Sequence, residues 1–142
     1  MPTRKARAIW EGSLQKGTGK IRLDSGACEA PYSFGSRFEA GQGTNPEELL
    51  AAAHAGCFAM ALSLALGKAG FSPERIDAEA HVSIEPADGG FAIRSSRLTC
   101  EARVPGIDEA TFARHAEETK LGCPVSKALA SIEITLEARL TR

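Results

Sequence analysis

The stretch NPEELLAAAHAGCFAMALSLALGKAG, residues 45–70, decides the fold. Asn45 is a strong helix N-cap, Pro46 suits the first helical position, and Glu48 stands three residues after the cap. Glu47 and Glu48 lie in the first turn, where the helix dipole favours acids. Good helix formers run on to Lys68 and Ala69, and Gly70 suits the left-handed stop. The spacing predicts a helix over 46–69, about 36 Å long. Apolar residues cover every face of it, which implies burial or a membrane span. Much of the run is alanine, and His54 and Ser63 interrupt it, so a core helix is the reading and no membrane is expected. Ala51, Ala55 and Ala59 form a small-residue stripe that admits another helix. One small domain struggles to wrap such a helix, so a homodimer with a shared core is expected.

The flanking sequence reads mostly as strands. Residues 4–10 (RKARAIW), 19–23 (GKIRL) and 31–38 (PYSFGSRF, with Gly35 as a bulge or bend) read as three strands before the helix. After it, residues 75–85 alternate with Ile76, Ala78, Ala80, Val82 and Ile84 on one face. Asp88-Gly89-Gly90 predicts a hairpin turn into 91–104. Asp108 caps a helix over 109–120, a short helix follows at 124–130, and 132–140 closes as a strand. The order β-β-β-α-β-β-α-α-β is that of an α+β domain with antiparallel sheets packed around a long central helix. The 142 residues fit a single domain, 1–142.

Composition excludes several functions. Lys and Arg number 17 against 18 Asp and Glu, a net charge of -1, so the basic footprint of nucleic-acid binding is absent. The N-terminus carries no apolar leader, which points to a cytoplasmic protein. There the four cysteines, 28, 57, 100 and 123, are not expected to form a static disulfide framework. Their spacing suits no zinc site, and the three histidines are scattered.

Each cysteine carries a different local signal. Cys57 sits mid-helix, where nothing local lowers its pKa; a reactive thiolate there needs an electropositive neighbour from elsewhere. Cys123 precedes Pro124 at the N-cap of a short helix, so local physics makes it the better nucleophile. Cys28 reads as a loop residue and Cys100 as strand packing. His54 stands three residues before Cys57 on the same helix face. That leaves open a Cys–His hydrolase, beside the plainer reading of a histidine satisfied in the core.

The runs RFEAGQGTNPEELLAAAHAGCFAMALSLALGKAGF and VPGIDEATFARHAEETKLGCPVSKAL, with DGGFAI and AIWEG, closely resemble the OsmC branch of the OsmC/Ohr family. The resemblance implies an intertwined homodimer and thiol-dependent reduction of organic hydroperoxides, in preference to hydrogen peroxide. Carried over by position, it makes Cys57 the attacking thiol and Cys123 the resolving one, against the local preference. It also brings in Arg37 and Glu47, whose plain reading is a surface charge and a first-turn acid. It implies an external dithiol reductant, of lipoyl type over glutathione, and no metal, flavin or haem cofactor. A redox-sensing or ligand-binding dimer without turnover stands as the other alternative.

Overall fold

The computed structural model describes all 142 residues, grouped in two compact units, Met1–Leu49 and Leu50–Arg142. The first unit holds a three-stranded antiparallel sheet of β1 (Ala6–Glu11), β2 (Thr18–Leu23) and β3 (Glu29–Tyr32) in that order. Gly19 stands where the Trp10 and Tyr32 rings meet edge to face, centroids 5.3 Å apart. A β-carbon there would lie 2.5 Å from Tyr32 and 2.6 Å from Trp10, so only glycine fits.

The expected third strand over 31–38 is only half present. After Tyr32 the chain turns into a short helix, α1 (Phe34–Phe38). The cause is a reciprocal cap: the Ser36 N–H donates to Ser33 Oγ at 3.1 Å, and the Ser33 N–H donates to Ser36 Oγ at 2.9 Å. Gly35, read as a bulge, sits inside that helix.

The second unit carries a hairpin, β4 (Arg75–Ala87) and β5 (Gly90–Arg103), with β6 (Glu133–Leu140) added beside β5. Asp88 and Gly89 both take positive φ, 47° and 80°, the signature of a type I′ hairpin turn. β4 and β5 pair antiparallel, as the sequence predicts, whereas β6 runs parallel to β5. The parallel pairing follows from the helices between them, α3 (Glu109–Gly122) and α4 (Pro124–Ala128), which return the chain to its starting end.

The long helix is α2 (Pro46–Lys68). Its start is the expected one: the Glu48 N–H donates to Asn45 Oδ1 at 2.8 Å. Gly70, at φ 93°, ends it. Beyond Glu47 in its first turn, the residues of α2 buried within this chain are the stripe His54, Phe58, Leu62 and Leu66, spaced four apart. That stripe joins Leu98, Cys100, Ala102, Val104, Ile107, Phe112 and Ala116 in one apolar cluster. Met60 and Leu64, on the other face, are 78% and 60% exposed. The helix is therefore not wrapped on all sides by its own chain. By length and composition alone it could also cross a membrane.

Candidate active site

Arg37 and Glu47 come together in the first unit. The α1 cap aims Ser36 Oγ at the Thr44 carbonyl, to which it donates at 2.7 Å. Asn45 Nδ2 donates back to the Ser36 carbonyl at 2.9 Å. These two bonds fold loop 39–45 against α1, so that Arg37, in the last turn of α1, meets the first turn of α2. Arg37 Nε donates to Glu47 Oε1 at 3.1 Å. The pair is made through this one nitrogen, not as the two-pronged fork that such pairs favour. Glu47 is buried, and its second oxygen, Oε2, has no partner in this chain. A buried carboxylate oxygen left unpaired is costly. The guanidinium also lies over the Phe38 ring, 5.3 Å from its centroid. Beside it opens a cavity of 430 Å³ whose walls include Trp10, Tyr32, Phe34 and Phe38.

Cys57 and Cys123 come together in the second unit. Cys57 is half-buried in α2 and Cys123 is buried at the junction of α3 and α4; both are free thiols. Cys123 is the N-cap of α4, as read from Pro124: its sulfur accepts the Ser126 N–H at 3.3 Å. The two thiols lie close enough to interact, and the Val125 backbone N–H lies close to the Cys57 sulfur. Burial pushes the Cys57 thiol up. The Val125 N–H opposes this, while the Cys123 thiol adds to it by hydrogen bond and by charge. No cation is among the causes of this shift.

His54 is wholly buried one turn before Cys57. Its Nδ1 lies 2.6 Å from Ser96 Oγ on β5, and its Nε2 lies 2.8 Å from Ser126 Oγ on α4. Both ring nitrogens are committed, so neither serves as the base of a Cys57–His54 hydrolase. The two serines escaped the sequence reading. Ser126 had a signal in its place three residues after Cys123; Ser96, in a strand 42 residues from His54, had none.

Burial lowers the His54 pKa below its usual 6.5. The unfolded chain therefore takes up a proton there before the folded one does. The resulting stability is present above pH 6.5 and is lost as pH falls through the folded value. Thermal melts at pH 7.5 and pH 5 should show a larger drop for the wild type than for His54→Gln. Equal drops would remove burial of neutral His54 as a cause of acid sensitivity.

The remaining cysteines carry no such arrangement. Cys100 is buried on β5, and burial, with Asp77 and Glu101 nearby, pushes its thiol up to about 11. It is inert packing. Cys28 takes part through its backbone carbonyl, which accepts the Leu23 N–H at 2.9 Å.

A helix-borne thiol close to a second, N-capping thiol is an arrangement suited to dithiol redox chemistry. The chain belongs to the OsmC-like protein family, whose sequence model matches residues 39–137. It is 51% identical over 138 residues to peroxiredoxin OsmC of Escherichia coli (strain K12), covering 96% of each chain. It is 33% identical over 98 residues to the organic hydroperoxide resistance protein of Xanthomonas axonopodis pv. citri, covering 68% of this chain and 67% of that one. Among solved structures, the organic hydroperoxide resistance protein of Elizabethkingia anophelis superposes with a TM-score of 0.77 at 25% identity, covering 99% and 98% of the two chains.

Proposed function

We propose that this OsmC-like peroxidase reduces organic hydroperoxides to alcohols, with Cys57 as the attacking thiol and Cys123 as the resolving thiol. The observation that carries this reading is the contact between the two thiols. The Cys57 thiolate attacks one peroxide oxygen, the O–O bond breaks, and the alkoxide leaves and takes a proton. Cys57 becomes a sulfenic acid, which condenses with Cys123 to a disulfide and releases water. An external dithiol, of lipoyl type, then restores both thiols by exchange, and a reducing cytoplasm suits that step. The residues themselves carry this chemistry, without metal or organic cofactor.

Arg37 supplies the charge that the attack needs, first beside the thiolate and then beside the departing oxygen. Glu47 holds Arg37 in place through the 3.1 Å bond. Glu47 and Cys57 are ten residues apart on α2, about 15 Å along the axis. A glutamate side chain does not span that distance. The reading is therefore a homodimer with two composite sites, the Glu47 of one protomer serving the Cys57 of its partner. The exposed Met60 and Leu64 and the orphaned Glu47 Oε2 support it, since a second copy would cover the first and could satisfy the second. The aromatic cavity beside Arg37 supports an organic substrate.

The test is steady-state turnover of cumene hydroperoxide and of hydrogen peroxide, with dihydrolipoamide as reductant. The expected kcat/KM is at least about tenfold higher for the organic peroxide, the equivalent of roughly 1.4 kcal/mol of transition-state binding. Equal rates would overturn the substrate assignment. One stoichiometric oxidation without turnover would turn the reading to a redox sensor.

A further inference from the structure

Between α2, β5 and α4 runs an unbroken line of polar atoms that ends on a reacting sulfur. Ser96 Oγ is 2.6 Å from His54 Nδ1, and His54 Nε2 is 2.8 Å from Ser126 Oγ. Ser126 Oγ is in turn 3.2 Å from Cys123 Sγ. All four residues are buried, with His54 and Ser96 at 0% exposure, so water does not compete for these bonds. Packing alone does not call for a histidine here, since its neighbours on the same stripe of α2 are Phe58, Leu62 and Leu66.

We propose that His54 and Ser126 form a proton relay that activates Cys123 for its attack on the Cys57 sulfenic acid. This rests on the two-cysteine reading above. In the resting state the Cys123 S–H donates to Ser126 Oγ, the Ser126 hydroxyl donates to His54 Nε2, and His54 Nδ1–H donates to Ser96 Oγ. The hydrogens on Cys123, Ser126 Oγ and His54 Nδ1 then each have an acceptor. As Cys123 attacks, its proton passes to Ser126 Oγ while the Ser126 proton passes to His54 Nε2. The Cys123 sulfur supplies the electron pair of the new S–S bond. The S–O bond of the sulfenic acid breaks, and its hydroxide leaves and takes up a proton as water. The hydroxide takes its proton from solvent and His54 afterwards gives the relayed one back to solvent, so the completed step has no net proton change. Cys57 sulfur is reduced from its sulfenic state and Cys123 sulfur is oxidised. His54 touches no reacting atom and is a positioning and proton-holding residue; Ser126 touches the reacting sulfur.

The resting charge of His54 suits the role. Burial lowers its pKa and favours the neutral ring, whose unprotonated nitrogen accepts from Ser126. The titratable groups in line with it are the thiols Cys57 on α2 and Cys123 at the N-cap of α4; α2 also carries Glu47 and Glu48 in its first turn and Lys68 in its last, and β5 carries Cys100 and Glu101. The charged neighbours of its two serines, Arg97 on β5 and Lys127 on α4, are exposed. Protonation of His54 is thus the titration that would stop the relay.

The test follows one turnover of the reduced protein with cumene hydroperoxide, quenched at intervals. Peroxide consumption and Cys57–Cys123 disulfide formation are measured separately by mass spectrometry. Ser126→Ala and His54→Gln should each slow disulfide formation relative to peroxide consumption, by about ten- to a hundredfold, as loss of a positioned proton acceptor does. Ser126→Thr, which keeps the hydroxyl, should restore it. The wild-type disulfide step should be level in pH around neutrality and fall only at lower pH, through the lowered His54 value. In both impaired variants it should instead climb with pH, as hydroxide takes over the proton. Disulfide formation unchanged in rate and pH profile in Ser126→Ala and His54→Gln would overturn the relay, as would equal slowing of both steps. A wild type that forms no Cys57–Cys123 disulfide would instead overturn the two-cysteine reading itself. Should His54→Gln not fold, the Ser126→Ala and Ser126→Thr pair decides alone.

Discussion

Cys57→Ser should remove hydroperoxide reduction altogether, while Cys123→Ser should remove only its repetition. A serine hydroxyl is a far weaker nucleophile than a thiolate, and no general base faces position 57, since both nitrogens of His54 are taken. The expected loss of kcat/KM in Cys57→Ser is roughly three orders of magnitude or more. The first equivalent of peroxide should go unconsumed as well. Cys123→Ser keeps the attacking thiol, so one equivalent should still be consumed and Cys57 should gain one oxygen atom. Without a resolving thiol, excess peroxide should carry it to the sulfinic acid, which dithiols do not reverse. Intact-protein mass spectrometry separates these outcomes. The reverse pattern, with Cys123→Ser silent in the first turnover, would make Cys123 the attacking residue, the role its N-cap position favours by local physics.

Arg37→Ala and Glu47→Ala should each lower the rate of the first oxidation about a hundred- to a thousandfold, the usual cost of losing one aimed charge from a developing oxyanion. Arg37→Lys should recover little, because a point charge replaces a planar group already seated over Phe38 and bonded through Nε. The Glu47 effect has a second, geometric consequence. If Glu47 acts across the dimer, mixing Cys57→Ser with Glu47→Ala protomers leaves about half of the sites in each heterodimer with an intact Cys57 and an intact Glu47. Purified heterodimers should then regain about half of the wild-type rate, although neither parent is active alone. Heterodimers no faster than Glu47→Ala would place Glu47 and Cys57 in one protomer and remove the composite site.

Local signals made much of this molecule legible. Asn45, Pro46 and Gly70 bound α2 in the sequence as they do in space, because caps and stops act within a few residues. Asp88-Gly89 defines its hairpin for the same reason, and Pro124 marks Cys123 as an N-cap. What depended on distant partners was less legible. Residues 34–38 carry strand-like composition, yet two serines three apart close a helical turn that alternation does not reveal. The burial of α2 was legible in kind but not in extent, since composition shows that a face is apolar without showing which chain covers it. Arg37 and Glu47 entered through family resemblance alone, and their single-nitrogen bond appears only when loop 39–45 folds back. The line Ser96–His54–Ser126 joins three separate elements, so no spacing in the sequence announces it.

The most direct test of the two-cysteine cycle is to add one equivalent of cumene hydroperoxide to the fully reduced protein, digest it under acid, and map its disulfides. A Cys57–Cys123 disulfide in near-stoichiometric yield, reversed by dihydrolipoamide, with Cys28 and Cys100 still free, is the predicted result. Peroxide consumed with Cys123 left as a free thiol, or a disulfide through Cys28 or Cys100, would contradict it.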